Sequence, residues 1–425
     1  MKYAEQLFGH SEVALRLPNV LLLVVYMWYS FLLFRGTDAI LSMGIFLLLC
    51  TNVLLMDLFA MARGYGLSCG FMLMSLYHFI AYFQKQKKRD ALLFHGAALL
   101  ACLSSFTLVT FYVALLLVYN LQLFLETRWV KGKGFSFIKV NKVHIVPFLL
   151  VSAVLYEPVR RVLMYGNLDF GGKAGFYADT VSHLIWNTCH QMAIPPAVLL
   201  VLQIVFTLIV LVPLFLMMQN GRRARHQFFD QHRGLIITNL LLILLAMIII
   251  AQHWILKSDY PISRFSIFLF PLFMVHFGYL LHYFMASKYK FMLRIGFALL
   301  ALGSTISFCS KTELDTLAEW GYDSATKEMI QTLATHRAST PHPAREVKLG
   351  IDWSFEPTIN FYRQVKQLDW LLPADREGLS ANDDYYYIFK DQLPQLEPTE
   401  YEIIKVYEKT KTVLIFNKNY TDSAE

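Results

Sequence analysis

Apolar residues in the first three quarters of the chain come in long uninterrupted runs rather than in the short alternations of a soluble protein. Eight of these runs are long enough to cross roughly 30 Å of hydrocarbon as a helix. They lie near residues 17–34, 39–59, 66–83, 143–164, 194–218, 234–256, 264–284 and 291–309.

The stretch 91–125 is also nearly all apolar, but it is too long for one ordinary span. We therefore predict two helices here, with a turn near Ser104–Ser105. The pattern then predicts an α-helical polytopic membrane protein with about ten transmembrane helices. No internal repeat is visible.

After residue 310 polar positions alternate with short apolar segments. This pattern predicts, in order, a helix over Glu313–His336, a linker over Ala338–Ala344, a strand over Val347–Trp353, a helix over Glu356–Asp369, a strand over Asp384–Phe389 and a hairpin over Ile403–Phe416. We expect two domains, a transmembrane domain over 1–310 and a small soluble α/β domain over 311–425.

Composition agrees with a membrane protein, since 56% of the residues are hydrophobic and 16% are charged, against roughly 25% charged in a soluble domain. Residues 1–310 carry 25 Lys and Arg against 11 Asp and Glu, whereas 311–425 carry 13 against 20. Of the 25 basic residues, 17 fall on one side of the predicted spans and eight on the other. Cytoplasmic loops collect Lys and Arg, so the N-terminus and the acidic tail are predicted to be outside the cytoplasm.

The same considerations exclude several classes of function. The positive charge follows the topology, so no nucleic-acid partner is expected. The five cysteines include none in the predicted tail domain, which argues against a disulfide framework or a cysteine metal site. Walker, dinucleotide-glycine and Gly-x-Ser-x-Gly motifs are absent. This argues against a nucleotide-dependent cytosolic enzyme, and no cofactor is expected.

Charged residues at membrane depth are functional candidates, because inserting them costs a few kcal/mol each. Asp57 and Arg63 lie at the outer end of one predicted span, ahead of the turn Arg63–Gly66, and Arg264 opens another span on that side. Two such arginines would clamp a lipid-borne phosphate through bidentate hydrogen bonds. The alternative is that each arginine reaches the interface or forms an internal ion pair. For Glu157 we expect a structural pair with Arg160 or Arg161.

Two histidines, His183 and His190, are seven residues apart, and Asp179 precedes His183 by one turn if Asp179–Gln191 is helical. This spacing suits a metal or acid–base cluster, but it is common by chance and lacks an HExxH pattern, so no metal is expected.

Aromatic residues in the tail offer a further candidate site. Tyr385, Tyr386, Tyr387 and the pair Trp353 and Trp370 have the chemistry to stack on sugars. The alternative, which is the more common role for such residues, is core packing.

Several short motifs resemble bacterial GT-C type glycosyltransferases, of the group related to the protein mannosyltransferases and the lipid A aminoarabinose transferases. The matching pieces are Phe8-Gly9-His10-Ser11-Glu12 followed by Ala14-Leu15-Arg16-Leu17-Pro18, then Ala62-Arg63-Gly64-Tyr65-Gly66, Gly171-Gly172 with Gly175-Phe176 and Asp179-Thr180, and Tyr260-Pro261-Ile262-Ser263-Arg264 with Pro271.

This resemblance implies a bacterial inner-membrane enzyme that takes a sugar from a polyprenyl-phosphate donor and transfers it outside the cytoplasm to an envelope glycan, lipid or protein. It implies an acidic general base and cations at the leaving phosphate. The candidate substrate-binding residues are Arg63, Tyr65, Arg264, Lys257, Asp57 and Asp179. The alternative is a non-enzymatic transporter or lipid-binding component whose tail recruits a partner.

One departure from the family pattern affects the catalytic residue. The family places a first span and an outer loop with the catalytic acid before the segment that begins here at Gly9. We therefore expect these parts to be encoded upstream of Met1, or the chain to be a truncated and inactive form. No catalytic base is assigned, and Glu12 is expected to pair with Arg16, its i+4 neighbour.

Overall fold

The computed structural model describes residues 8–124, 143–165, 171–189, 192–219, 228–229, 231–313, 315–317, 319–340, 346–376, 379–380, 383–396 and 401–418. Contacts between Cα atoms divide the chain into two compact units, Met1–Thr312 and Glu313–Glu425. Each unit has its own secondary structure and core.

The first unit is mostly helical in its described part. Its helices are α1 (Glu12–Phe34), α2 (Ala39–Cys50), α3 (Val53–Ala60), α4 (Gly64–Lys85), α5 (Lys88–Ser104), α6 (Leu108–Phe124), α7 (Ile145–Tyr165), α8 (Ser182–Thr188), α9 (Pro196–Gln219), α10 (Arg233–Leu256), α11 (Leu269–Phe284) and α12 (Lys290–Lys311). A short π-helix, Tyr177–Val181, precedes α8, and a 3-10 turn, Ser263–Phe265, precedes α11.

Five of these helices, α1, α4, α9, α10 and α12, are long and apolar enough to cross a membrane, or six spans result if the bent pair α2–α3 is one. A mostly helical protein with a small C-terminal sheet is therefore confirmed, while the count of about ten spans stays a prediction. The predicted turn inside 91–125 is confirmed, because α5 ends at Ser104 and α6 begins at Leu108.

The predicted span over 39–59 is not one continuous helix, because the chain bends by 61° between α2 and α3, and whether the pair crosses the membrane as one span stays a prediction. Polar side chains explain the break. The Asn52 Oδ1 atom accepts the Leu55 N–H at 2.9 Å and so caps α3. The Asn52 Nδ2 atom donates to the carbonyl of Asn187 at 3.0 Å, and the Thr51 hydroxyl bonds back to Leu47.

The second unit is a four-stranded sheet with two helices. Its elements are α13 (Thr326–Ala338), β1 (Leu349–Ile351), α14 (Glu356–Val365), β2 (Tyr385–Phe389), β3 (Tyr401–Tyr407) and β4 (Thr412–Asn417). The strand order is β1-β2-β4-β3, with β1 parallel to β2 and the other two pairs antiparallel. The predicted strand before Lys390 and the predicted hairpin are both confirmed.

Three predicted bounds in this unit are wrong. The helix expected from Glu313 begins only at Thr326, whose hydroxyl donates to the Asp323 carboxylate at 2.6 Å in front of the helix. The helix expected to reach Asp369 ends at Val365, because Gln367 takes a left-handed conformation with φ of 53°. The strand expected over Val347–Trp353 is reduced to β1.

The tyrosines of β2 belong to the core, as the more common role for such residues indicated. Tyr385, Tyr386 and Tyr387 are all buried, so they offer no surface for a sugar. Phe355 is fully buried beside them, with its ring centroid 4.6 Å from that of Tyr387. Trp353, two residues earlier, is 62% exposed.

This contrast predicts different effects for two neighbouring substitutions. Phe355→Ala leaves a cavity in the core and should lower the free energy of unfolding of the second unit by about 3–5 kcal/mol. Trp353→Ala should change it by under about 1 kcal/mol, because exposed side chains contribute little. Proteolysis of the tail in the full chain at increasing urea measures both, and equal effects would contradict the core assignment.

Candidate functional site

The turn Arg63–Gly66 is fixed by close backbone packing. Arg63 is the N-cap of α4 in an extended conformation. A Cβ atom at Gly64 would overlap the carbonyl oxygen of Ser104, at the end of α5, and one at Gly66 would lie 2.8 Å from the carbonyl of Leu58. Glycine is therefore required at both positions, since a side chain would push the turn away from its neighbours.

A buried asparagine that was not among the sequence candidates holds the same turn. Asn19 lies in α1 directly after Pro18 and is fully buried. Its Nδ2 atom donates to the carbonyls of Met61 and Arg63, the latter at 2.6 Å, and its Oδ1 atom accepts the Leu67 N–H at 3.1 Å. One side chain thus satisfies backbone groups on both sides of the turn.

The segments 171–181 and 260–265 are joined to each other by backbone pairing. Gly172 and Tyr260 form an antiparallel bridge with N–H···O distances of 2.9 and 2.8 Å. The hydroxyl of Thr180 donates to the carbonyl of Pro261 at 2.9 Å. The ring of Tyr260 also stacks on His253 of α10, with centroids 4.2 Å apart.

The turn 63–66 contacts the segment 260–265 through aromatic side chains, and this contact brings two candidate residues together. The ring of Tyr65 meets the edge of Phe265 with centroids 5.9 Å apart. The Arg264 guanidinium carbon lies 4.9 Å from the centroid of its own neighbour Phe265. Tyr65 and Arg264 therefore both contact the ring of Phe265. Arg63 is two residues before Tyr65. We call the segments 63–66, 171–181 and 260–265 the loop cluster.

Asp179 has a structural contact within the loop cluster. Its Oδ2 atom accepts the Gly175 N–H at 2.8 Å, and a Cβ atom at Gly172 would clash with its carboxylate. The carboxylate thus closes the loop that carries the bridge to Tyr260. His183 lies in α8, where its ring meets Trp186 edge-on at 6.0 Å.

The remaining candidates lie beside the loop cluster. Lys257 ends α10 in a left-handed conformation with φ of 56°, and its side chain is exposed. Asp259 is almost fully buried, and its carboxylate lies 4.0 Å from the Lys173 ammonium. Asp57 is half-buried in α3, six residues before Arg63. The clamp role of Arg63 and Arg264 stays a prediction.

The structure also bears on the metal hypothesis and on the two ion-pair predictions. The described residues contain no group of three or more His, Cys, Asp or Glu that could hold a metal ion, and His190 lies outside them. The predicted pair of Glu12 and Arg16 is confirmed at 3.7 Å. Glu157 pairs with both Arg160 and Arg161 at 2.8 Å, as predicted.

Sequence and structure comparisons add one similarity. The chain matches no protein-family model and no curated protein sequence. It is similar to the crystal structures of ArnT from Cupriavidus metallidurans in the apo state and bound to undecaprenyl phosphate. The TM-scores are 0.48 and 0.49, with 12% identity over 97% of this chain and 85% of that chain. ArnT is an aminoarabinose transferase.

The contacts of Asn19 generate a stability prediction. Asn19→Leu keeps the volume but leaves the backbone groups of Met61, Arg63 and Leu67 without this partner, at about 1–3 kcal/mol for each buried group. The thermal unfolding midpoint of the detergent-solubilised chain should fall by several degrees.

Thr305→Val is the matched control, because the Thr305 hydroxyl bonds to the carbonyl of Ala301 within its own helix. If the thermal unfolding midpoint of Asn19→Leu equals that of Thr305→Val, the turn Arg63–Gly66 does not depend on Asn19.

Proposed function

We propose that this chain is a membrane glycosyltransferase that uses a polyprenyl-phosphate-linked sugar as its donor. The acceptor would be an envelope glycan, lipid or protein on the outer face of a bacterial inner membrane, with the C-terminal unit also outside the cytoplasm. The observation that carries the proposal is the loop cluster. Three motifs separated by as many as about two hundred residues meet there, and all three belong to the family resemblance.

The chemistry of a lipid-linked donor explains the residues in this cluster. Its phosphate lies at the headgroup level of the bilayer, and Arg63 at the start of α4 and Arg264 ahead of α11 would lie at the same level. Guanidinium groups bind phosphate oxygens through paired, charge-assisted hydrogen bonds and would stabilise the leaving phosphate as the sugar departs. Lys257 would add positive potential from the end of α10.

The other candidates are assigned supporting roles. Tyr65, whose ring packs against that of Phe265, would contact the donor. Asp179 would keep the loop at Gly172 in place through its bond to Gly175. Asp57 would orient Arg63 from the adjacent helix. A catalytic base is not assigned to any residue of this chain.

Binding of undecaprenyl phosphate to the chain in lipid nanodiscs tests the clamp. Arg63→Ala and Arg264→Ala should each weaken this binding roughly 10- to 100-fold, because each removes hydrogen bonds between charged groups. Binding of undecaprenol, which has the same chain and no phosphate, should not change between the variants.

Arg160→Ala is the matched control, since Arg160 is a boundary arginine engaged by Glu157 on α7. If Arg63→Ala and Arg264→Ala bind undecaprenyl phosphate as tightly as Arg160→Ala does, the proposed role of Arg63 and Arg264 as a phosphate clamp is wrong.

Transfer itself is tested in cells. Deletion of the gene should make a polyprenyl-phosphate-linked sugar accumulate and one sugar disappear from an envelope component, both measured by mass spectrometry of extracts. Unchanged donor and envelope profiles would contradict a transferase.

A further inference from the structure

A polar cavity lies at the opposite end of the first unit from the loop cluster. Helix α4 runs from Gly64 in the cluster to Lys85 at this cavity, and its 22 residues span roughly 33 Å. The cavity has a volume of about 440 Å³ and lies where the ends of α1, α4, α10 and α11 meet. This volume lies within the usual range for small-molecule sites.

The described residues that line this cavity carry positive charge and no carboxylate. The cations are Arg35, Lys85 and Arg233, with His232 and His282 beside them. We call these five residues the cationic rim. Arg35 and Lys85 have exposed side chains, and neither forms an ion pair with any residue in the described part of the chain.

Two carboxylates near these residues in the sequence, both in the described part of the chain, have partners of their own. Asp38, three residues after Arg35, pairs with Arg294 of α12, and this hydrogen bond lowers the pKa of the Asp38 carboxyl. Asp90 is buried and bonds to His78 at 2.9 Å. The cationic rim is therefore not neutralised by either acid.

Helix dipoles explain the positions of only some of the basic residues in the cationic rim. Arg35 and Lys85 follow or end helices, where a cation is favoured by the negative end of the helix dipole. His232 and Arg233 stand at the start of α10, where the dipole is positive and disfavours a cation. Burial and the neighbouring His282 lower the pKa of His232, so the positive charge at this helix end is that of Arg233, and the helix dipole does not explain it.

The walls of the cavity are held by packing between helices. The Arg233 Nη1 atom donates to the carbonyl of Phe83 at 3.3 Å, and the Tyr279 hydroxyl donates to the carbonyl of Leu33 at 3.2 Å. A Cβ atom at Gly234 would lie 2.6 Å from the Tyr279 ring, so α10 and α11 are in close contact here. The concave shape thus follows from four packed helices.

We propose that this cavity binds the phosphate-bearing headgroup of an anionic phospholipid from the membrane leaflet opposite the loop cluster. Basic pockets between transmembrane helices at the headgroup level recognise such lipids. Tyr77 and Tyr279, which also line the cavity, have the amphipathic rings that are enriched at this level. The shared chemistry is that of a phosphate ester, so a free phosphate is the competing source of the ligand.

Lipid binding to the purified full-length chain tests this site. Native mass spectrometry would compare phosphatidylglycerol with the zwitterionic phosphatidylcholine and with diacylglycerol. We expect phosphatidylglycerol to bind at least about tenfold more tightly than either. Arg35→Gln together with Lys85→Gln should weaken that binding on the order of 10- to 30-fold, since each basic residue contributes to anionic-lipid attraction. Both side chains are exposed, so the double variant should still fold.

The matched control is Lys288→Gln together with Lys290→Gln, which removes two positive charges from the start of α12, outside the cavity lining. Its phosphatidylglycerol affinity should stay within about twofold of the wild-type value. Equal weakening by both double variants would overturn the site, because it would show a general surface-charge effect.

A competition arm distinguishes the two sources of phosphate. Inorganic phosphate at millimolar concentration should leave phosphatidylglycerol binding unchanged within about twofold. If inorganic phosphate displaces the lipid fully, or if phosphatidylcholine binds as tightly as phosphatidylglycerol, the assignment to an anionic phospholipid headgroup is wrong.

Discussion

Backbone that leaves the helical conformation near a membrane must find hydrogen-bond partners outside its own segment, because hydrocarbon offers none. Two segments of this chain meet that requirement through long-range contacts. The turn before α4 is bonded to Asn19, more than forty residues earlier, and the segment before α11 pairs with Gly172, nearly ninety residues earlier. Each bond fixes a non-helical segment and also sets which helices are neighbours. The loop cluster therefore depends on the same contacts as the fold.

The sequence is sufficient to predict elements whose signal is local. The turn at Ser104–Ser105 follows from the length of one apolar run, and the hairpin of β3 and β4 follows from alternation. The bend at Asn52 was missed because hydropathy averages over the break. A single asparagine among apolar residues does not show that its side chain will cap one helix and bond to Asn187 far along the chain. The helix ends in the tail were missed for a similar reason. The bond from Thr326 to Asp323 ahead of α13 and the left-handed conformation of Gln367 after α14 are local geometry that composition does not show.

Candidate residues at the loop cluster were found through the resemblance of short motifs, and the structure adds which side chains meet. Tyr65 and Arg264 are about two hundred residues apart in sequence, so their shared contact with Phe265 exists only in the folded chain. Asn19 was missed because a polar residue inside an apolar run has no visible partner in sequence. Its partners Met61, Arg63 and Leu67 all lie more than forty residues away in the sequence.

Helix α4 links the loop cluster to the cationic rim, and its contacts make it a rigid connection. Near the loop cluster, a Cβ atom at Gly70 would lie 2.9 Å from the Leu22 side chain, which shows that α1 and α4 are closely packed. Further along, the Ser75 hydroxyl donates to the carbonyl of Phe94 at 2.9 Å, and His78 bonds to both Tyr29 and Asp90. Three positions along α4 are thus tied to α1 and α5 by packing or polar bonds. A helix fixed in this way cannot shift along its axis without breaking several contacts at once. The distance between the two ends is then set by the length of α4, which is close to the roughly 30 Å thickness of the hydrocarbon core of a bilayer.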